Sequence, residues 1–325
     1  MVNADYDILL QSLSETIADY RQNEIAPMTP SHVEKWLYQF DPADRFVILT
    51  EMDAIMKRFY FSRNMVKERI RNFLTNRLID NKDPRDVLHH TGFLCVQKDG
   101  SSQRAMLDII DEILQEEYKF PIALAGIKEI QKYVYIDDAV YTGNRLRYDL
   151  TDGASTVGWL SSGPAKCTLL VYTLAFHKEA WNYVGEKIQN AAIMRQISLK
   201  MFTTLWIENT HSPESDIEVL WPERIVGDPV IDPYVADLIA TSGRSREMDT
   251  FFQNTINRGQ EKLFSSPQAR RVVERAFLTK GLQLVKASQN PAGLFNSLFP
   301  RAYGAHYQPF SARLRAISGR KERIK

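Results

Sequence analysis

The stretch that most constrains this chain runs from Tyr133 to Leu146, YVYIDDAVYTGNRL. Tyr133, Val134, Tyr135 and Ile136 are aromatic or β-branched, which suits a pleated and largely buried strand, and the Thr-Gly-Asn that follows is a turn signal. The strand is expected to end at Asp137 and Asp138. In an open α/β sheet the carboxyl ends of the strands form the ligand crevice, which places both carboxylates in a cleft rather than a core. Side by side there they repel each other and lose hydration; sugar hydroxyls or a hydrated divalent cation would relieve both penalties. Thr142 then offers a hydroxyl, Gly143 permits a positive φ, and a helix starting near Arg145 would direct free N–H groups at an anion. A ribose phosphate presents both halves, a diol and a phosphate. The plainer reading of the same residues is a buried strand that closes in an Asp-rich turn.

Around this stretch the apolar pattern alternates. Gly92 to Val96 reads as a buried strand, Gln97 to Ser102 as a Gly/Ser loop, and Gln103 to Glu117 as a helix. Backbone N–H groups at Gly100, Ser101 and Ser102, with the charge of Lys98, make a candidate anion-binding loop, although such a loop also serves simply to start a helix. Cys167 to Phe176 is almost continuously apolar, as a strand covered on both faces should be, and it puts His177 and Lys178 at its carboxyl end. Further short strands are expected at Phe202–Glu208 and Ile217–Trp221, with a Gly/Ser-rich connection at Thr151–Ser162. Strands alternating with helices in this way imply an α/β fold, a mainly parallel sheet with helices on both faces.

The flanks follow helical spacing instead. Leu9, Leu13 and Ile17 recur on one face; Val33, Trp36 and Leu37 follow Thr29-Pro30; Phe46 to Met56 follows Asp41-Pro42; and Ser62 to Leu78 reads as a fourth helix. The aromatics among them read as core, and no strongly basic recognition helix accompanies them. Asn81-Lys82-Asp83-Pro84 is a polar breaker. Helices are expected again at Tyr234–Ile239, Arg246–Ile256 and Ser265–Val285, the last starting at Ser-Pro and meeting a stop signal at Gly281. An aromatic segment from Phe295 to Phe310 and a basic tail from Arg313 close the chain. The organisation expected is a helical domain over residues 1–82, an α/β core over 83–225, and a helical and aromatic segment with a basic tail over 226–325.

Charge and cysteine content narrow the function classes. Lys and Arg number 41 against 40 Asp and Glu, so no global field argues for nucleic acid or an acidic membrane. Cys95 and Cys167 are the only cysteines, too few for a disulfide framework, and no Cys/His spacing suggests zinc. A reducing cytoplasm is expected. No apolar run approaches the roughly 18 residues of a membrane span, and the acidic N-terminus does not resemble an export signal.

Four apolar residues, Asp137-Asp138, two apolar residues and the loop Thr142-Gly143-Asn144 resemble the phosphoribosyl-pyrophosphate motif of the type I phosphoribosyltransferases. The resemblance implies that the acidic pair holds the ribose hydroxyls, that Thr142, Gly143, Asn144 and Arg145 hold the 5′-phosphate, and that Mg2+ bridges to pyrophosphate. It also implies a pyrophosphate loop at Lys98, Gly100, Ser101 and Ser102. Tyr141 stands where a small residue is usual and Arg145 where Thr or Ser often stands, so the chain departs from the nucleotide-salvage enzymes. It is closer to a divergent phosphoribosyltransferase-like effector branch of bacterial conflict systems, anti-phage and retron-type, whose core sits between helical flanks. The Glu-Arg-Ala-Phe-Leu core ending in Lys280-Gly281 extends that likeness. The function implied is chemistry at the anomeric carbon of a ribose 5-phosphate donor or nucleotide. The partners implied are an ATPase or reverse transcriptase, with nucleic acid reached through the complex. Two other readings stand beside it: a non-catalytic sensor of a phosphoribosyl ligand, and a nucleic-acid-associated structural subunit of a defence complex.

Overall fold

The structure, a computed structural model, describes residues 2–22, 25–98, 101–151, 157–207, 220, 222–224, 226–242, 252 and 261–286. The described elements begin with α1 (Val2–Thr16), α2 (Pro30–Leu37), α3 (Arg45–Phe59), α4 (Arg63–Phe73), a π-helical turn (Leu74–Ile79) and α5 (Pro84–His89). There follow β1 (Thr91–Phe93), α6 (Ser102–Tyr118), β2 (Lys132–Val140), α7 (Asn144–Leu150), α8 (Trp159–Ser162), β3 (Thr168–His177), α9 (Lys178–Met194) and β4 (Ser198–Ile207). Helices α10 (Ile231–Ser242) and α11 (Pro267–Lys286) complete them. By contact the chain divides into two compact units, Arg63–Ile207 and Met1–Ser62 with Glu208–Lys325.

In the helical unit local chemistry sets the helix starts. Thr29 Oγ1 accepts the His32 N–H at 3.3 Å and Pro30 fills the first helical position, which together start α2. Leu13, Leu37, Ile48, Leu49 and Met52 are buried. The rings of Trp36, Phe40 and Phe277 pack with centroids 5.1–6.1 Å apart, so these aromatics are core. α11 starts where Ser-Pro places it but runs through Gly281 to Lys286. A Cβ at Gly281 would meet nothing within 4 Å, so no close approach there forces the helix to stop.

The α/β unit is a four-stranded parallel sheet in the order β1-β2-β3-β4. Helices cover both faces. Phe73 of α4 stacks on Tyr172 of β3 at 4.6 Å on one side, while Leu169 and Val171 pack with Leu146, Val184 and Ile188 of α7 and α9 on the other. α4, read from sequence with the N-terminal helices, falls in this unit. Its Arg63, Lys67 and Arg71 pair with Glu112, Glu116 and Glu117 of α6.

Two of the departures from the expected strand lengths shape the site. β2 does not stop at the aspartates: pairing with β3 continues through Ala139↔Ala175 and Val140↔Phe176, so Asp137 and Asp138 lie inside its last residues. β1 is shorter than Gly92–Val96. After Phe93 only the Leu94 N–H still reaches β2, at the Val134 carbonyl (2.8 Å), and β2 projects beyond its neighbour. β4 begins earlier than expected, at Ser198. The expected elements at Ile217–Trp221 and Arg246–Ile256 lie outside the described residues apart from Leu220 and Phe252, as do residues 152–156, the aromatic segment and the basic tail.

Candidate active site at the carboxyl end of β2

Where β2 outruns β1, its backbone groups on that side lose their strand partners, and side chains take over. Gln103, fully buried in the first turn of α6, donates from Nε2 to the Ile136 carbonyl (3.2 Å). Its Oε1 accepts the N–H groups of Val96 (2.9 Å) and Gln97 (3.0 Å), which pins the loop after β1 against β2. The Asp138 N–H is taken by Asp137 Oδ1 at 2.9 Å.

Asp137 is the centre of what results. Only 4 % of it is exposed. Oδ1 also accepts Ser102 Oγ–H at 2.8 Å; Oδ2 accepts Gln97 Nε2 at 2.8 Å and lies 3.3 Å from the Tyr135 hydroxyl. Gln97 Nε2 and the Tyr135 hydroxyl each also reach Asp149 Oδ2 on α7, both at 2.9 Å. Burial, and then the charge of Asp138, push the Asp137 carboxyl up to about 6, against the pull of the Ser102, Gln97 and Asp138 donors. The Tyr135 hydroxyl is held far above its usual range by burial and by the charges of Asp137 and Asp149, so it remains a donor. Asp138 points the other way along the pleat and is half buried, with Oδ1 accepting the Ala139 N–H at 2.7 Å.

The loop after β2 has the geometry its sequence suggests. Thr142 Oγ1 accepts the Asn144 N–H at 3.3 Å, and α7 starts at Asn144, one residue before the expected Arg145. Gly143 has φ +71°, and a Cβ there would sit 2.7 Å from Val184 Cγ1 of α9, so the tight turn and the helix packing both require glycine. Arg145 is exposed. On the other loop Ser101 is the N-cap of α6 and Ser102 touches Asp137, while Lys98 is exposed and Gly100 lies outside the described residues. Among the described residues neither the Lys98 nor the Arg145 side chain makes a hydrogen bond or ion pair. His177, at the carboxyl end of β3, is 1 % exposed, and neither ring nitrogen finds a partner among the described residues. Burial lowers it to about 4, leaving a neutral imidazole.

The structure therefore brings Ser102, Asp137 and Asp138 together. It adds Gln97, Gln103, Tyr135 and Asp149, to which the sequence reading gave no site role. Tyr135 carried a usable signal, since it sits two residues before Asp137 on the same strand face.

A parallel α/β sheet with an acidic pair among the last residues of one strand and a Thr-Gly turn behind it fits a phosphoribosyltransferase-like class. The chain belongs to the PRTase-CE family, whose family model matches residues 33–310. No curated protein and no solved structure matches the chain significantly. No described helix is long and apolar enough to cross a membrane.

Proposed function

We propose that this protein binds a phosphoribosyl donor at the carboxyl end of β2 and acts as a phosphoribosyltransferase-like effector of a bacterial anti-phage system. The observation that carries the reading is the Ser102–Asp137 contact, which ties the loop after β1 to the acidic pair that leads into the Thr142–Arg145 turn. The acidic pair would take the ribose side of the ligand and stabilise positive charge developing on the ring. The turn would take the 5′-phosphate, and the loop at Lys98 to Ser102 the pyrophosphate. In the reaction the bond from the anomeric carbon to the pyrophosphate oxygen breaks, pyrophosphate leaves with the electron pair, and an acceptor nucleophile or water bonds to that carbon. Positioning and electrostatics suffice, without a protein nucleophile.

Magnesium fits this site in a restricted way. Among the described residues no three His, Cys, Asp or Glu side chains gather as a metal cage. An ion that prefers phosphate oxygens and retained waters would be held mainly by the ligand, with the half-buried Asp138 as the carboxylate to meet it. Bound there, it would neutralise the departing pyrophosphate.

The helical unit would hold protein partners, an ATPase or reverse transcriptase, through which nucleic acid would be met. The test is calorimetry and thermal denaturation with magnesium phosphoribosyl pyrophosphate on the wild type and on Asp137→Asn/Asp138→Asn. Ligand at about 100 times its Kd should raise stability by about 2.7 kcal/mol in the wild type and by nothing measurable in the double variant. No binding at millimolar ligand, alone and with partners, removes the reading. A mass-spectrometric comparison of metabolites and nucleic acid with and without the protein separates turnover from sensing. Tyr141 in place of a small loop residue is the feature that favours sensing.

A further inference from the structure

We propose that the two aspartates have different jobs: Asp138 meets the ligand, whereas Asp137 is a positioning residue, a buried latch that fixes the loop after β1 and helix α7 to the end of β2. The proposal deepens the phosphoribosyl-ligand reading and rests on it for what Asp138 binds. A carboxylate has about four lone-pair sites. Those of Asp137 are occupied by Ser102 Oγ, the Asp138 N–H, Gln97 Nε2 and, at longer range, the Tyr135 hydroxyl. A ligand hydroxyl could reach this carboxylate only by displacing one of them from a group that is 4 % exposed. Asp138 is half buried and directed to the opposite face.

The partners of Asp137 show what the latch would hold. Gln97 belongs to the loop after β1, and Ser102 to the first turn of α6. Gln97 and Tyr135 carry the connection on to Asp149, which anchors the helix that follows the Thr142–Asn144 turn. One carboxylate thus sets the spacing between the two loops assigned to pyrophosphate and 5′-phosphate. Among the described residues every donor on Asp137 and Asp149 is neutral, so there the network is organised by geometry without a compensating cation.

The test uses the full chain, with magnesium phosphoribosyl pyrophosphate as the calorimetric probe and Asp137→Asn, Asp138→Asn, Tyr135→Phe and Asp149→Asn as variants. A buried Tyr135 hydroxyl cannot touch the ligand, so a latch predicts that Tyr135→Phe and Asp149→Asn weaken binding by about three- to tenfold, the equivalent of one lost hydrogen bond. The melting temperature of Tyr135→Phe should fall by only the few degrees that one lost hydrogen bond implies, and Asp138→Asn should lose measurable binding. Hydrogen exchange supplies a second readout. The Val96 and Gln97 amides should exchange faster in Asp137→Asn and Tyr135→Phe but not in Asp138→Asn. Wild-type affinity in both Tyr135→Phe and Asp149→Asn, with binding lost in Asp137→Asn, would show that Asp137 contacts the ligand and overturn the latch. If the wild type ignores the probe, the ligand reading fails separately, and the exchange pattern still decides: unchanged exchange at Val96 and Gln97 overturns the latch. Should Asp137→Asn not fold, Tyr135→Phe carries both readouts.

Discussion

Two buried charged groups in this molecule are solved in opposite ways. In the helical unit Arg270, 3 % exposed, is held by Glu261 on the segment before α11 and by Glu274 one turn along it. Burial alone would lower its guanidinium, but the hydrogen bond to Glu261 and the charge of Glu274 outweigh it and raise it. In the α/β unit Asp137 is buried about as deeply, yet its hydrogen-bond partners among the described residues are neutral, and burial wins. A charge that meets its counter-charge inside the fold is finished when folding ends. A carboxylate buried among neutral donors keeps an unspent preference for a proton or for an added positive charge, which is the condition of a site.

The largest expected effect breaks the compensated side. Arg270→Met removes the cation and leaves the buried Glu274 and the half-buried Glu261 without it, which should cost about 3–5 kcal/mol of stability. Urea unfolding followed through Trp36, which packs against Phe277 of α11, reads that unit. Asp137→Asn, by contrast, removes charge from the uncompensated side and should leave this transition where it was. A mild loss in Arg270→Met would mean that the ion pairs add little and that the contrast is one of geometry alone.

The second prediction is about pH. Asp137 titrates near 6 when folded against about 3.9 unfolded, so its stabilising contribution is present below about pH 4 and is lost as pH rises towards 6. His177 has the opposite sign: near 4 when folded and about 6.5 unfolded, it contributes above about pH 6.5 and loses that contribution as pH falls towards 4. Each shift spans a little over two units, or about 3 kcal/mol, so the two nearly cancel across this window in the wild type. Asp137→Asn should lose about 3 kcal/mol more than the wild type between pH 6.5 and 4, and His177→Gln should move the other way. Denaturant midpoints measured at half-unit intervals check it. Variants that simply parallel the wild type would show that neither group carries the burial assigned to it.

How much of this was legible in the sequence depends on the range of the interaction. The strand Tyr133–Ile136, the turn at Thr142-Gly143 and the Thr29-Pro30 helix start are local chemistry and were readable. The extension of β2 to Val140 was not, because it is set by pairing with β3, thirty-six positions away in register. Gln97, Gln103 and Asp149 were invisible for the same reason: they meet Asp137, Ile136 and Tyr135 by tertiary placement, and a lone glutamine in a loop has no period that marks it. α4 lay between these cases. Arg63, Lys67 and Arg71 recur every four residues, a charged stripe that a matching acidic stripe at Glu112, Glu116 and Glu117 could have claimed for the α/β unit.

The smallest effect sharpens the comparison most, because it touches one neutral donor and no charge. Ser102 Oγ–H donates to Asp137 Oδ1 and favours the ionised carboxylate. Ser102→Ala removes that donor, so the folded carboxyl should hold its proton to a higher pH still. Below about pH 4 Asp137 is protonated in both folded and unfolded chains, and the loss is that of an ordinary hydrogen bond, about 1 kcal/mol. Above about pH 7 the missing bond is one to a charge, and the loss should grow to about 1.5–3 kcal/mol. The quantity to measure is the difference in unfolding free energy between variant and wild type at pH 4 and at pH 8. A larger penalty at the higher pH means that Asp137 is ionised there on neutral donors alone, whereas an equal penalty at both means that it stays protonated and neutral, like the hydroxyl and amide beside it.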